Sequence, residues 1–464
     1  MFQPRRRDAD RLLPAEPRVR ELARELYLRV EGAPIISPHG HVPIGWLAED
    51  APFADPASLF ISHDHYVTRL LHAAGVDLAN LGVAGEPADP RAAWRILAEN
   101  WHLFAGTSSG YWLEEELDSI FGIRTPLDSG SADAIYDSIM ARLSLPEFRP
   151  RALFEQFGIE LLATTDDPLD DLSEHVRAQR GLTGRVIPTF RPDRYVDPDA
   201  AGFASNVERL LAATEQPSTF AGYLAALENR REYFQRHGAV SADHGVEEPF
   251  TVDLEHRDAE ALFQAALGGT ATASDRRTFR GHMLLQMARM SVEDGLVMTI
   301  HAGVLRNHNT PTLERFGPDS GHDIPVRTDF TRGLRPLLER FGLQRDFHLV
   351  LFAVDETVYS RELAPLAGFY PAVYIGAPWW VLDAPDAIAR FRAATTETAG
   401  FSRGSGFIDD TRAFLSIPAR HDTARRADAA FLARLVAESR ITMAAAERIA
   451  DDIVGPQPKR VFKL

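Results

Sequence analysis

Eight short apolar runs, each ending in polar residues, do most to limit what this chain can fold into. They lie at 33–37, 159–165, 186–190, 239–241, 296–300, 347–354, 372–375 and 406–408. Helical patterns fall between most of them, as at 259–267, 280–290, 331–341 and 384–394. Strand-then-helix segments in series mean a parallel sheet, because parallel neighbours need a crossover connection. Eight of them predict an α/β fold of the (β/α)8 TIM-barrel type, with the active site where the strands end.

The spacing is uneven. Roughly 120 residues separate the first two runs. An unstructured loop of that length is out of keeping with a compact domain. The segment, about 42–150, is predicted to be a helical insertion covering one side of the barrel mouth, with helices over 64–74 and 90–104. Further helices are predicted over 206–213 and 220–234. Residues 17–31 place Val19, Leu22, Ala23, Leu26 and Val30 on one helical stripe. The tail, about 424–455, reads as two helices. With 464 residues and 45% hydrophobic content, a single barrel with insertions accounts for the whole chain, 1–464.

Composition removes several function classes. A net charge of -16 argues against general nucleic-acid or anionic-membrane binding. It leaves room for an anionic small substrate, since a few local arginines can override the global field. No cysteine is present, so any metal must be held by His, Asp or Glu. The N-terminus carries three arginines without an apolar h-region, and no run of 18 apolar residues exists. A soluble, cytoplasmic protein is expected.

The ends of the runs collect chemistry. The first delivers His39-Gly40-His41, two imidazoles on one side of the chain that can share a metal ion. The second delivers Thr164 to Asp167, the third Arg191 and Asp193, and the fourth Asp243 and His244. The fifth delivers His301 and the last Asp409-Asp410-Thr411-Arg412. Each alone reads as a loop cap. Their coincidence at one face supports a metal site at His39 and His41.

The motifs HGHV (39–42), DHY (64–66), ATTDDP (163–168), PTFRPD (188–193), ADHG (242–245), HAGVLRNHNT (301–310), WW (379–380) and DDTRAF (409–414) resemble those of the uronate (glucuronate) isomerases, a branch of the amidohydrolase superfamily. The resemblance implies a metal-assisted aldose–ketose isomerase for hexuronates. D-glucuronate would exchange with D-fructuronate, and D-galacturonate with D-tagaturonate, through a cis-enediol. It implies His39, His41 and Asp410 as ligands of a divalent cation, zinc first, with manganese or iron as alternatives. Asp410 is also the expected proton carrier. His301 completes the metal shell or hydrogen-bonds the substrate. Arg191 is expected to hold the substrate carboxylate, unless it is spent on Asp193 or Asp167. Arg412 is expected to bind substrate or lower the pKa of Asp410. Tyr66 is the expected proton or hydrogen-bond donor, with His65 beside it, and Trp379 and Trp380 form an apolar wall. His244 is expected to orient a group of the site.

Some positions depart from the pattern. Gly40 removes a side chain beside the metal, and His308 stands in a triple-Asn stretch. Asp355 and Glu356 end the sixth run. Aimed into the cleft, they would favour the alternative, a metal-dependent hydrolase or lyase for a related sugar acid or lactone. As helix caps they would carry no meaning for specificity. A small anionic sugar acid is the expected partner, with no nucleic acid or membrane. A homo-oligomer is expected because barrels of this size often associate.

Overall fold

The computed structural model describes residues 8–83, 85 and 89–464. Residues 1–7, the start of the segment read above as lacking a secretory signal, lie outside the described residues. Nine strands occur among the described residues. They are β1 (Ile35–Ser37), β2 (Ile159–Ala163), β3 (Arg185–Ile187), β4 (Ser241–Val246), β5 (Val297–Ala302), β6 (Val304–Leu305), β7 (Ile324–Pro325), β8 (Leu349–Ala353) and β9 (Val373–Ile375). β1, β2 and β3 form one parallel sheet, and β4, β5, β8 and β9 another. Phe190 joins the two by bridging in parallel to Asp166 and to Ala242. Beyond β9, Gly404 bridges to Ile375, and the His41 N–H donates to the Thr411 carbonyl at 2.9 Å. The last stave thereby returns to the first and closes the ring of staves.

Four expectations are corrected. β4 begins where the fourth run was expected to end, so Asp243 and His244 lie within the strand. The polar residues of that run hid a strand whose Asp243 and His244 side chains are both buried. The eighth run, 406–408, forms no regular strand and is held by isolated bonds on either side. The tail has three helices instead of two: Ile417–Ala437, Met443–Val454 and Pro456–Phe462. The first starts before 424 because Arg420, His421, Arg425 and Arg426 are buried in it, so its inner face is not apolar. The pattern over 331–341 is two short helices, Phe330–Gly333 and Arg335–Phe341, with Pro336 in the first turn of the second.

The insertion is helical, as expected, and positions part of the site. Its helix His65–Ala73 begins where the Asp64 carboxylate accepts the Tyr66 backbone N–H at 2.8 Å. This cap puts His65 and Tyr66 in the first turn, against the barrel mouth. The helix Pro17–Val30 buries Ala23, Leu26, Tyr27 and Val30 against Ala429, Leu432 and Ala433 of the long C-terminal helix. Among the described residues no helix is long and apolar enough to cross a membrane.

Candidate active site

The end of β1 turns inward over three residues. Thr165 donates its hydroxyl to the Gly40 carbonyl at 2.7 Å and pins the turn to the end of β2. A Cβ on Gly40 would lie 3.4 Å from the Ala163 carbonyl and 3.6 Å from that of Thr411, so this backbone fits between two neighbours. The His39 and His41 Nε2 atoms stand 3.2 and 3.0 Å from Asp410 Oδ1. That oxygen is buried and accepts no hydrogen bond from either ring. Two imidazole nitrogens and a carboxylate oxygen that converge without hydrogen bonding form a donor set for a cation. Asp410 sits at φ +44°, a left-handed backbone that aspartate adopts at a cost. Its neighbour Asp409 faces the other way and meets His421 Nε2 at 3.1 Å.

The charges divide the two imidazoles: at His39 burial is outweighed by Asp243 and Asp410, which hold the ring above its ordinary range. Burial opposes ionisation of Asp410, but the His39 and His41 rings outweigh it and hold the carboxyl well below its ordinary range. Burial pushes His41 down to about 4, leaving a neutral ring with a free lone pair. Deeper in, Asp243 accepts from His301 Nδ1 at 2.7 Å and from the Thr299 hydroxyl at 2.6 Å. His301 is thereby fixed through Nδ1, and its Nε2 is buried without a partner. The His301 ring stacks on His39, with 4.6 Å between centroids.

A cavity of about 300 Å³ opens beside these donors. His65, Tyr66, Trp379 and Trp380 form one side, and Arg191, Arg306, Arg412 and Arg420 supply positive charge. Burial and the nearby Arg412 push His65 down to about 3. Burial raises the Tyr66 hydroxyl above its ordinary range, so it keeps its proton. Arg420 is fully buried, lies 3.8 Å from the Trp112 ring and donates to Asp383 at 2.8 Å.

A profile of the glucuronate isomerase family matches residues 18–462. The uronate isomerase of Corynebacterium efficiens is 54% identical over 460 residues, 98% of each chain. The chain belongs to the glucuronate isomerase family. Among solved structures it is similar to the glucuronate isomerase of Caulobacter crescentus, with a TM-score of 0.97 and 46% identity over 99% of this chain and 98% of that one. It is also similar to the uronate isomerase of Thermotoga maritima, with a TM-score of 0.92 and 27% identity over 99% of this chain and all of that one. The shared architecture is the amidohydrolase-type α/β fold.

Seen as a member of this family, the chain brings His39, His41, His301, Asp410, Arg191, Arg412, His65, Tyr66, Trp379 and Trp380 to one place. The insertion of the same chain supplies His65 and Tyr66. Both tryptophans line the cavity and also pack in a cluster with Phe352 and Ile408, so wall and core are one layer here. Arg191 is engaged: its Nε donates to Asp193 at 2.8 Å, and Nη1 stands 3.3 Å from Asp243. Arg412 is not what lowers Asp410, since the two imidazoles do that. Its own carboxylate neighbour is Asp319, at 3.7 Å.

His244 does not support the donor set. It bonds the Thr299 carbonyl through Nδ1 and lines a separate cavity outside the ring of strands. Asp355 accepts from the Thr357 N–H as a local cap, and Glu356 pairs with Arg390. Neither lines the cavity, so the hint toward a hydrolase loses its basis. The His308 N–H donates to the His322 carbonyl, and His308 does not line the cavity.

Sequence reading assigned no role to Asp243, Arg306, Asp319, Asp323 or Arg420. Asp243 could have been found, since ADHG was noted. Arg306, Asp319 and Asp323 belong to the excursion joining β6 to β7, which carries no periodic signal. Arg420 lies in the first turn of the helix Ile417–Ala437, ahead of the tail expected from about 424.

Proposed function

We propose that this protein is an aldose–ketose isomerase of hexuronates, exchanging D-glucuronate with D-fructuronate and D-galacturonate with D-tagaturonate. The observation that carries the proposal is the convergence of His39, His41 and Asp410 beside an arginine-lined cavity of sugar size. The three residues fit a divalent cation, zinc first, with manganese or iron as alternatives. Such a cation, when bound, supplies the electrophile that steadies charge on the sugar oxygens.

The chain's own groups do the rest. Arg412 and Arg191 draw the carboxylate and present C1 and C2 of the open-chain sugar. Asp410 takes the C2 proton and returns it at C1. The Tyr66 hydroxyl, which keeps its proton, donates to the enediol oxygens. His301 Nε2, fixed through Asp243, is placed to meet the cation or a sugar hydroxyl. The neutral His65 ring and the indoles of Trp379 and Trp380 narrow the cavity and exclude water. The whole chain, 1–464, acts as one barrel-based unit whose insertion, about 42–150, forms a wall of the site. A cytoplasmic homo-oligomer completes this reading.

The test is direct. Purified, metal-loaded protein is incubated with D-glucuronate and with D-galacturonate, and ketose formation is followed. Conversion of at least one supports the proposal, and failure with both sinks it.

A further inference from the structure

Each arginine lining the cavity already faces a carboxylate of this chain, and the four pairs are not equal. Arg191 donates to Asp193 at 2.8 Å and stands 3.3 Å from Asp243. Arg306 and Arg420 donate to Asp323 and Asp383, each at 2.8 Å. Of these acids, Asp243, Asp323 and Asp383 are buried. Removing a partner from a buried pair strands a charge away from water, which is strongly unfavourable. Arg412 and Asp319 differ. Their closest approach is 3.7 Å, beyond hydrogen-bond reach, and the Asp319 side chain is 51% exposed. Among the described residues the Asp319 carboxylate accepts no hydrogen bond. Burial would push its carboxyl up, but Arg412 and Arg306 outweigh that, so it is a full anion. It rides on the excursion between β6 and β7, at φ +60°.

We propose that Asp319 is a tethered counter-ion. It stands on Arg412 in the empty enzyme, gives way to the carboxylate of an incoming sugar acid, and so sets the preference for anionic over neutral sugars. This rests on the reading above that the substrate is a sugar acid. Exchange of one carboxylate for another conserves the charge around Arg412. A neutral sugar has nothing to exchange and leaves the pair in place. Among the described residues Arg412 is the cavity arginine held by a single, half-exposed carboxylate beyond hydrogen-bond reach, whereas Asp193 is hydrogen-bonded to Arg191 at 2.8 Å with Asp243 behind it, so Arg412 is where the exchange occurs.

The test uses Asp319→Asn. Asparagine tolerates the left-handed backbone and keeps the side-chain shape, so only the charge is lost. Asp319→Ser is the second variant should the first fold poorly. The probes are D-gluconate, an acid with no aldehyde to isomerise, and D-glucitol, its neutral counterpart. Both are titrated calorimetrically into metal-loaded protein. The expected result is gluconate binding about two- to fivefold tighter in the variant, the range for a partly exposed pair, with glucitol binding unchanged. Gluconate binding that is unchanged, weaker or undetectable in both proteins overturns the proposal. Equal tightening for glucitol does so too, because steric relief then accounts for it. Gluconate binding needs no turnover. A wild-type protein that converts no uronate sinks the isomerase reading, while the two titrations still decide the role of Asp319.

Discussion

At the scale of single residues, the site depends on side chains that are held before any ligand arrives. Asp410 reaches the two imidazoles from a left-handed backbone, and its Oδ1 accepts no hydrogen bond. Asp410→Asn keeps the shape and removes the charge. The kcat on hexuronate should fall by about 10²–10⁴-fold, as for loss of a proton carrier, while the far-ultraviolet circular-dichroism spectrum of the folded protein stays native. Gly245 sets another distance. A Cβ there would stand 2.7 Å from Arg191 Nη2 and 2.9 Å from Asp193 Oδ2. Gly245→Ala should therefore part the Arg191–Asp193 pair. KM should rise by about tenfold, the worth of one charged hydrogen bond, with a smaller change in kcat. Asp166 tests burial away from the donor set. Burial lifts its carboxyl to about 7, against the hydrogen bonds from Thr164 and Thr189. The folded state then holds a proton that the unfolded chain releases near pH 4. The stability this supplies is complete below pH 4 and is lost as pH rises to about 7, at no more than about 1.4 kcal/mol per pH unit. Denaturant titrations from pH 4.5 to 8 should show that fall. Asp166→Asn should flatten it, and a slope that survives the substitution would assign it elsewhere.

At the scale of elements, the sequence was most readable where burial is one-sided. The helix Pro17–Val30 follows its stripe because Ala23, Leu26, Tyr27 and Val30 are buried against the long C-terminal helix while Arg18, Glu21, Arg24, Glu25 and Arg29 face water. Leu26 is fully buried in that contact. Leu26→Ala should cost about 2–5 kcal/mol of stability, read as a lower denaturant midpoint, with the kcat of folded protein unchanged. Readability failed where the inner face is polar. β4 hid behind Asp243 and His244, and the helix Ile417–Ala437 hid behind its buried arginines, because pattern reading assigns polar residues to water. It failed again at 406–408, where two bonds to neighbouring staves, not a regular ladder, hold the chain.

At the scale of the whole molecule, donors from the first and last staves meet at a single point, so the cation should bind only to the closed fold. Dialysis against a chelator should abolish isomerase activity and lower the melting temperature. Adding back zinc, manganese or iron(II) in turn should restore both, and the metal that restores most identifies the preferred ion. Much of this site was legible in advance. His39, His41, Arg191, His301 and Asp410 follow apolar runs, and a run of one period that ends in charge marks where a strand meets a site. The chain by itself determined the alternation of strands and helices, the ligand types that a cysteine-free chain can offer, and the helical nature of the insertion. These are local properties, set by neighbours within a few residues. Only the tertiary structure decided which way each charged group points. Arg191 is paired with Asp193 and Asp243, His244 faces outward, Asp355 is a cap, and Asp319 lies against Arg412. Those choices come from contacts between segments far apart in sequence, where burial and the nearest opposite charge decide, and a linear pattern carries neither.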